Sequence, residues 1–160
     1  MEESDDHSQQ VHIGGLSGAT GFLRPVFEQV IRDIFRSHGI RKYALSVSFV
    51  GDEEIARLNR ESLGRDGPTD VIAFDLSEEG LPLDKVGDVY ISLDTARANS
   101  ERFGVSAAEE LLRLVVHGSL HVIGHTDGSP SERRDMETLQ EEFVEKFSGS
   151  LRQRQAHKEE

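Results

Sequence analysis

The sequence predicts an α+β (mixed α/β) fold: a small, mostly parallel or mixed four-stranded sheet with helices packed around it. Segments with the periodicity of amphipathic helices alternate along the chain with short, β-branched segments that have the character of strands. One helix, which begins after Ser106, is apolar around most of its circumference, as is typical of a helix buried at the centre of a domain. Helices packed on one small sheet are therefore the simplest architecture for this chain.

The first half of the chain contains two predicted helices and one predicted strand. The segment FLRPVFEQVIRDIFRSHG places its apolar residues on one helical face, with Pro25 near the start and Gly39 at the end. The segment YALSVSFVG alternates and is β-branched, so it predicts a strand. The segment DEEIARLNRES predicts a short helix, because acidic residues in the first turn stabilise a helix N-terminus.

The second half contains two predicted strands and then predicted helices. The strands are TDVIAFDL and GDVYISLD, and SLDTARANSERFG predicts a strand end that continues into a helix. In SAAEELLRLVVHGSLHVIG, Ser106 and Glu109 predict a capping box, and Gly124 ends the helix. In SPSERRDMETLQEEFVEKF, Ser129 is the expected N-cap and Glu132 completes a second capping box.

Length and composition favour a single domain. With 160 residues, of which 36% are hydrophobic, the chain can form one sizeable core, which we place at residues 11–148. We expect the acidic tail at 1–10 to be disordered and the polar tail at 149–160 to be flexible. No run approaches the roughly 20 apolar residues of a membrane span, and the acidic start differs from a basic secretory signal. We therefore expect a cytoplasmic protein with no membrane partner.

The lack of cysteine and the net charge restrict the chemistry. A metal site in this chain must use histidine, aspartate, glutamate or water, because the sequence contains no cysteine. The net charge of −12 argues mildly against a generic nucleic-acid binder, since phosphate contacts supply most of the affinity of such proteins. A local basic strip, or a metal ion that offsets substrate charge, is still compatible with this composition.

The segment HGSLHVIGHTDG, residues 117–128, carries the candidate metal ligands. His117 and His121 are four residues apart on the central helix, so their side chains share one face at a spacing of about 6 Å. Two imidazoles at that spacing are able to bind one cation at about 2.1 Å each. The alternative is a pair of histidines at the edge of the core that bind backbone carbonyls. The further ligand types that follow at once favour a metal site.

His125 and Asp127 compete for the place of the third ligand. On a continuous helix, His125 would lie about 12 Å beyond His117, too far for one ion to reach both. The third ligand must come from chain that has turned back, and Gly124 is placed to make that turn. His125 follows the glycine at once, whereas Asp127 lies two residues further on, so geometry favours Asp127.

The resulting pattern, HxxxHxxGxxD, has the spacing of the metzincin proteases, whose motif is HExxHxxGxxH. Those enzymes use the glutamate after the first histidine as general base. Gly118 occupies that position here and has no side chain that could transfer a proton. A metzincin-like metallopeptidase is therefore an alternative that keeps a metal but lacks the base.

Three ordered segments resemble the YbeY family of bacterial endoribonucleases. They are IARLNRESLGRDGPTDVIAFDL, VGDVYISLDTARANSERFGVS and ELLRLVVHGSLHVIGHTDG followed by MET, and together they span roughly residues 44–147. The last resembles the family signature HGxLHLxGYDH. The resemblance implies a metal-dependent hydrolase, typically with zinc, that acts on ribosomal RNA. It also implies a role in maturation of small-subunit rRNA ends and in ribosome quality control, and a fold with helices around a small sheet.

The resemblance assigns His117 and His121 to the first two family ligands and Asp127 to the third, where the family has histidine. His125 falls on the family tyrosine. The family also commonly carries Tyr-Arg before its TDVLSF segment, where the arginine is thought to help with phosphate, but this chain has Ser62 and Leu63.

Two arginines near that position are candidates for the missing phosphate contact. Either Arg60 or Arg65 takes the role, or the chain is catalytically weaker than its relatives. Both residues are also consistent with ordinary solvated surface charges.

The combined hypothesis is a zinc-dependent endoribonuclease specific for single-stranded RNA. One Zn²⁺ bound by His117, His121 and Asp127 would leave a position open for water and polarise a phosphodiester oxygen. Thr69 and Asp70 would lie near the mouth of the cleft, where Asp70 is a candidate general base or else a loop-capping residue. His125 would lie behind the ligands, contact substrate or simply be exposed.

A non-catalytic, ribosome-associated zinc protein is the other alternative. A structural zinc site normally has four protein ligands, which this site would reach only if His125 and Asp127 both bound. The expected partners are single-stranded rRNA and ribosomal or ribosome-associated proteins, since an acidic protein would reach RNA mainly through partner proteins.

Overall fold

The computed structural model describes residues 8–159, with side chains as far as Gln155. Within that range the sheet has four strands: β1 Gln9–Gly14, β2 Tyr43–Val50, β3 Val71–Asp75 and β4 Lys85–Ser92. Their order in the sheet is β1-β2-β4-β3. Strand β2 is parallel to both β1 and β4, whereas β3 runs antiparallel to β4 at the edge. The prediction of a mixed, mostly parallel four-stranded sheet is confirmed.

The helices follow the periodicity read from the sequence. Each predicted helix is present, and a short 3-10 helix, Gly18–Leu23, precedes the first of them. The predicted N-caps are also present: Ser106 Oγ accepts a hydrogen bond from the Glu109 backbone N–H at 3.1 Å, and Ser129 Oγ from that of Glu132 at 3.2 Å. The helix bounds are α1 Arg24–Ser37, α2 Asp52–Leu63, α3 Leu93–Phe103, α4 Ala107–Val122 and α5 Pro130–Glu159.

Both ends of the folded region extend beyond the expected bounds of 11–148. Gln9 and Gln10, expected in the disordered tail, belong to β1 and pair in register with Tyr43 and Ala44 of β2. Residues 149–159, expected to be flexible, continue α5, and Leu151 is buried at 3% exposure. Backbone hydrogen bonds to β2 order the N-terminal segment, and the buried side chain of Leu151 anchors the C-terminal one. Neither feature produces a periodic apolar pattern in the sequence. Residues 1–7 of the predicted acidic tail, and residue 160, lie outside the described residues.

Helix α4 lies at the centre of the molecule, as its composition predicted. It packs against β3 and β4 of the sheet and against the helices α1, α3 and α5. Leu112, Val115, Val116 and Leu120 are fully buried on it, at 0% exposure. Among the described residues, no helix is long and apolar enough to cross a membrane.

Two glycines set the distance between α4 and the sheet. A Cβ added at Gly118 would lie 2.5 Å from Val89 Cγ1 of β4, and one added at Gly87 would lie 2.5 Å from Val122 Cγ1 of α4. Real Cβ atoms do not approach other carbons so closely, so only glycine permits this contact. The C-terminal half of α4, with its two histidines, is thereby held against the edge of the sheet where β3 lies.

Candidate metal centre

His117, His121 and Asp127 come together at the C-terminal end of α4. The Nε2 atoms of His117 and His121 are 3.0 Å apart. Asp127 Oδ2 lies 3.6 Å from His121 Nε2, and ligand atoms of all three residues lie within 4.8 Å of one another. Two imidazoles and one carboxylate in this arrangement are a donor set that suits a divalent transition-metal ion.

The loop after α4 places Asp127 by a turn at Gly124. This glycine has φ 107°, in the left-handed region that side chains disfavour. The Gly124 N–H donates to the carbonyl of His121 at 3.1 Å, and the His125 N–H donates to that of Leu120 at 3.0 Å. These bonds close the end of the helix and reverse the chain. The reversed chain therefore brings Asp127 close to the two histidines, as predicted from the rise of the helix.

Hydrogen bonds behind the two rings orient the lone pairs of both histidines toward the cluster. His117 Nδ1 donates to Gln140 Oε1 at 2.7 Å, and His121 Nδ1 donates to the backbone carbonyl of His125 at 3.0 Å. Because both partners are oxygens that only accept, the neutral form of each ring carries its proton on Nδ1 and directs the Nε2 lone pair toward the cluster. Gln140 Nε2 donates to Glu141 Oε2 at 3.2 Å, which holds the amide oxygen toward His117.

The distance between the two facing Nε2 atoms shows whether these residues fit a metal ion. Two lone pairs 3.0 Å apart repel each other unless a cation or a proton lies between them. Ligands at about 2.1 Å from a tetrahedral ion lie roughly 3.4 Å from each other, close to the observed spacing. A carbonyl or carboxamide behind each ligating imidazole is also the usual support of a metal site. The residues present therefore fit a bound divalent ion.

The environment of His121 favours the neutral form of its ring. Burial is the main cause that lowers the pKa of His121, and the charge of His117 lowers it further, while Asp127 acts in the opposite direction. Metal binding requires neutral imidazole, so a lowered pKa reduces the competition between protons and a metal ion. The electrostatics of the cluster agree with its geometry.

His125 faces away from the cluster. Its Nε2 lies 2.9 Å from Nε2 of His38, and the two rings are nearly perpendicular. His38 in turn donates from Nδ1 to the carbonyl of Ile34 at 2.7 Å, at the end of α1. Burial, followed by the neighbouring His38, lowers the pKa of His125. The main-chain oxygen of His125 thus supports His121, and its ring ties the loop to α1.

Two cavities flank the cluster, and both reach Asp70, the residue that precedes β3. One cavity, of about 470 Å³, is lined by the three candidate ligands and by residues of β3. The other, of about 630 Å³, lies between α3, α4 and α5. Asp70 and His117 line both. The backbone carbonyl of Asp70 accepts a hydrogen bond from the Ser92 N–H at 2.9 Å. The Asp70 carboxylate accepts long hydrogen bonds, both 3.5 Å, from Thr69 and Asn99.

The structure distinguishes between the two arginines considered for phosphate binding. Arg65 lines the cavity that contains the cluster, whereas Arg60 lines a different groove, on α2. Leu63, at the position of the family arginine, also lines the cluster cavity and is 46% exposed. Of the two arginines, Arg65 is therefore the one near the site, and an apolar side chain lies beside it.

The position of the metzincin base faces the sheet. A side chain at Gly118 would meet Val89 of β4 and Val71 of β3. Any glutamate there would collide with the sheet before it could reach a substrate. The packing of α4 thus explains why this position carries glycine.

Sequence reasoning did not find the polar network that supports the larger cavity. Glu110, 3% exposed, accepts hydrogen bonds from Asn99 Nδ2 and Arg113 Nη1, both at 3.4 Å. Arg113 also binds Glu141 at 2.7 Å. Burial raises the pKa of Glu110, and the hydrogen bond from Arg113 lowers that of Glu141. A charged residue, Glu110, on the otherwise apolar helix α4 was the one sequence feature that could have indicated this network. The role of Gln140 behind His117 could not be read from the sequence, because Gln140 lies on a different helix.

Comparison with known proteins gives consistent matches over most of the chain. The profile of the family described as Endoribonuclease YbeY matches residues 18–148. A protein of that name from Chlorobium phaeobacteroides is 36% identical over 122 residues, which cover 76% of this chain and 84% of the relative. Another, from Bacteroides thetaiotaomicron, is 41% identical over 108 residues, 67% of this chain and 76% of the relative.

One solved structure resembles the fold over nearly its whole length. The solution structure of TM1509 from Thermotoga maritima superimposes with a TM-score of 0.66 at 28% sequence identity. The match covers 90% of this chain and 93% of that protein. The four-stranded sheet and its surrounding helices are therefore the architecture of a known protein.

Proposed function

The chain belongs to the endoribonuclease YbeY family and is a hydrolase of that class, and from this premise we propose a more specific function. The protein is a zinc-dependent, single-strand-specific endoribonuclease that takes part in maturation of small-subunit rRNA ends and in ribosome quality control. The observation that carries the proposal is the cluster of His117, His121 and Asp127, with both Nε2 lone pairs directed inward beside open cavities. The segments that resemble the family support the rRNA substrate.

Three protein ligands would hold Zn²⁺ here and leave coordination positions open, as in catalytic rather than structural sites. When bound, the ion supplies Lewis-acid chemistry: it acidifies water and polarises a phosphodiester oxygen. Asp127 contributes a negative charge where relatives have a neutral histidine. The charge makes the ion a weaker Lewis acid but strengthens its retention by the protein.

Asp70 and Arg65 are the remaining candidates for the reaction. The Asp70 carboxylate, whose two side-chain hydrogen bonds are both 3.5 Å long, would accept a proton from the attacking water. The Arg65 guanidinium, in the same cavity, would bind and orient the phosphate. Thr69, next to Asp70, would help to orient its carboxylate.

Two features support a nuclease over the alternatives. A metallopeptidase of the metzincin type needs a base at Gly118, where the sheet leaves no room for one. A structural zinc site needs a fourth ligand, and His125, the further candidate from the same segment, directs its Nε2 toward His38. The net charge of −12 favours approach to rRNA through ribosomal or ribosome-associated proteins.

The decisive assay is cleavage of a labelled single-stranded RNA by zinc-loaded protein, with the same RNA in a duplex as second substrate. We expect cleavage of the single strand alone, and loss of cleavage in the double variant His117→Ala, His121→Ala. His12→Ala, an exposed histidine on β1 at the far edge of the sheet, is the matched control and retains full activity. Cleavage that survives in the double variant, or that does not need the metal, would refute the proposal.

A further inference from the structure

We propose that the 630 Å³ cavity beside His117 is a nucleobase site, in which an unpaired base next to the cleaved phosphodiester stacks on Phe103. This inference rests on the proposed endoribonuclease function and identifies the part of the substrate that the second cavity binds. It explains three observations that the metal cluster leaves without a role: an exposed aromatic ring, an acidic cavity wall and a shared boundary with the cluster.

Phe103 is an aromatic side chain that is mostly exposed to solvent. It is the last residue of α3 and is 61% exposed, more than any other large hydrophobic side chain described in the structure. It lines the cavity together with Arg102, whose guanidinium carbon lies 5.6 Å from the centre of the ring. Aromatic rings and arginine planes are the surfaces on which proteins stack bases of single-stranded RNA. An exposed ring contributes nothing to the core, so its position favours such contact.

The charge of the cavity wall favours a base over a phosphate. Asp70, Glu110 and Glu137 line the cavity. Two arginines also line it: Arg113 is already bound to Glu141 and Glu110, and Arg102 lies over the Phe103 ring. Carboxylates repel phosphate but accept hydrogen bonds from the amino and ring N–H groups of nucleobases. The cavity is thus suited to bind the uncharged nucleobase of a nucleotide and not its phosphate.

Continuity with the cluster argues for RNA as the occupant. His117 and Asp70 line both cavities, so a nucleotide whose phosphate reaches the cluster has its neighbouring base at the entrance of the second cavity. A volume of about 630 Å³ lies in the usual range for small-ligand sites, about 300–1,000 Å³. A base in a duplex is stacked and paired and cannot enter. The site would therefore also contribute to preference for single strands.

Tryptophan substitution gives a direct test, because the natural chain contains no tryptophan. In zinc-loaded Phe103→Trp, titration with an uncleavable 2′-O-methyl RNA hexamer is expected to quench the fluorescence saturably. Leu81→Trp is the matched control: Leu81 is 45% exposed, lies between β3 and β4, and does not line the cavity. Its fluorescence is expected to stay unchanged, and an abasic oligomer of the same length is expected to quench neither variant.

A second measurement uses affinity. Phe103→Ala is expected to weaken binding of the hexamer about 10- to 100-fold, the usual effect of removing one stacking ring, whereas Phe103→Tyr keeps wild-type affinity. Circular dichroism confirms folding of both. Unchanged fluorescence of Phe103→Trp, equal quenching by the abasic oligomer, or wild-type affinity of Phe103→Ala would each overturn the nucleobase site. If RNA is still cleaved in these cases, the proposed function stands; absence of cleavage by the wild-type protein refutes that function separately.

Discussion

Replacing Gln140 with leucine tests whether the hydrogen bond behind His117 serves a metal. Leucine has a similar volume, so the packing around this residue, which is 8% exposed, is largely preserved. The substitution removes the acceptor that binds His117 Nδ1 at 2.7 Å. The ring then loses the partner that selects its tautomer and directs Nε2 toward the cluster.

The expected effect is a 10- to 100-fold loss of zinc affinity, the usual consequence of removing such a supporting partner. This corresponds to about 1.4–2.8 kcal/mol, since each tenfold change in affinity is about 1.4 kcal/mol. The assay is competition for zinc against a chromophoric chelator at pH 7.5. Gln140→Glu keeps the acceptor and is expected to bind zinc at least as tightly as the natural protein.

The control is Gln153→Leu, an exposed position on the same helix. It is expected to leave zinc affinity unchanged, and thermal unfolding of the metal-free variants separates metal binding from folding. Wild-type zinc affinity in folded Gln140→Leu would show that the hydrogen bond is only structural. That result would refute the inference that Gln140 orients His117 for a metal ion.

Three further predictions concern the ligands, the phosphate contact and the packing of α4. Asp127→Ala is expected to lose bound zinc on dialysis, whereas His125→Ala keeps it, as measured by elemental analysis; the reverse result would show that the third ligand is wrongly assigned. Leu63→Arg is expected to raise kcat/KM for single-stranded RNA severalfold, because it adds a cation to the cluster cavity; unchanged kinetics would separate this position from phosphate binding. Gly118→Ala is expected to destabilise the fold by about 1–3 kcal/mol in urea unfolding, because its Cβ collides with the sheet. Its control is Gly149→Ala, because a Cβ added at Gly149 meets nothing within 4 Å. This control variant is expected to stabilise α5 by about 0.5–1 kcal/mol. Equal stability of the two variants would contradict the packing argument.

Much of the fold follows from local patterns. The helices and three of the strands were predictable because apolar periodicity and capping residues are properties of short segments. Strand β1 was missed: it is short, contains Gln9 and Gln10, and owes its structure to hydrogen bonds with a strand more than thirty residues away. The continuation of α5 was missed for a similar reason, since Leu151 is anchored by distant parts of the chain.

For the candidate site, the sequence by itself determined which residues are close in the chain. The spacing of His117 and His121, the break at Gly124 and the return to Asp127 all lie within eleven residues, and helix geometry relates them directly. Only the tertiary structure decided what surrounds them. It joins Gln140 to His117, turns His125 toward His38, and places a cavity on each side of Asp70. These contacts join side chains from separate helices and strands, and their distances depend on how the elements pack, which no local spacing encodes.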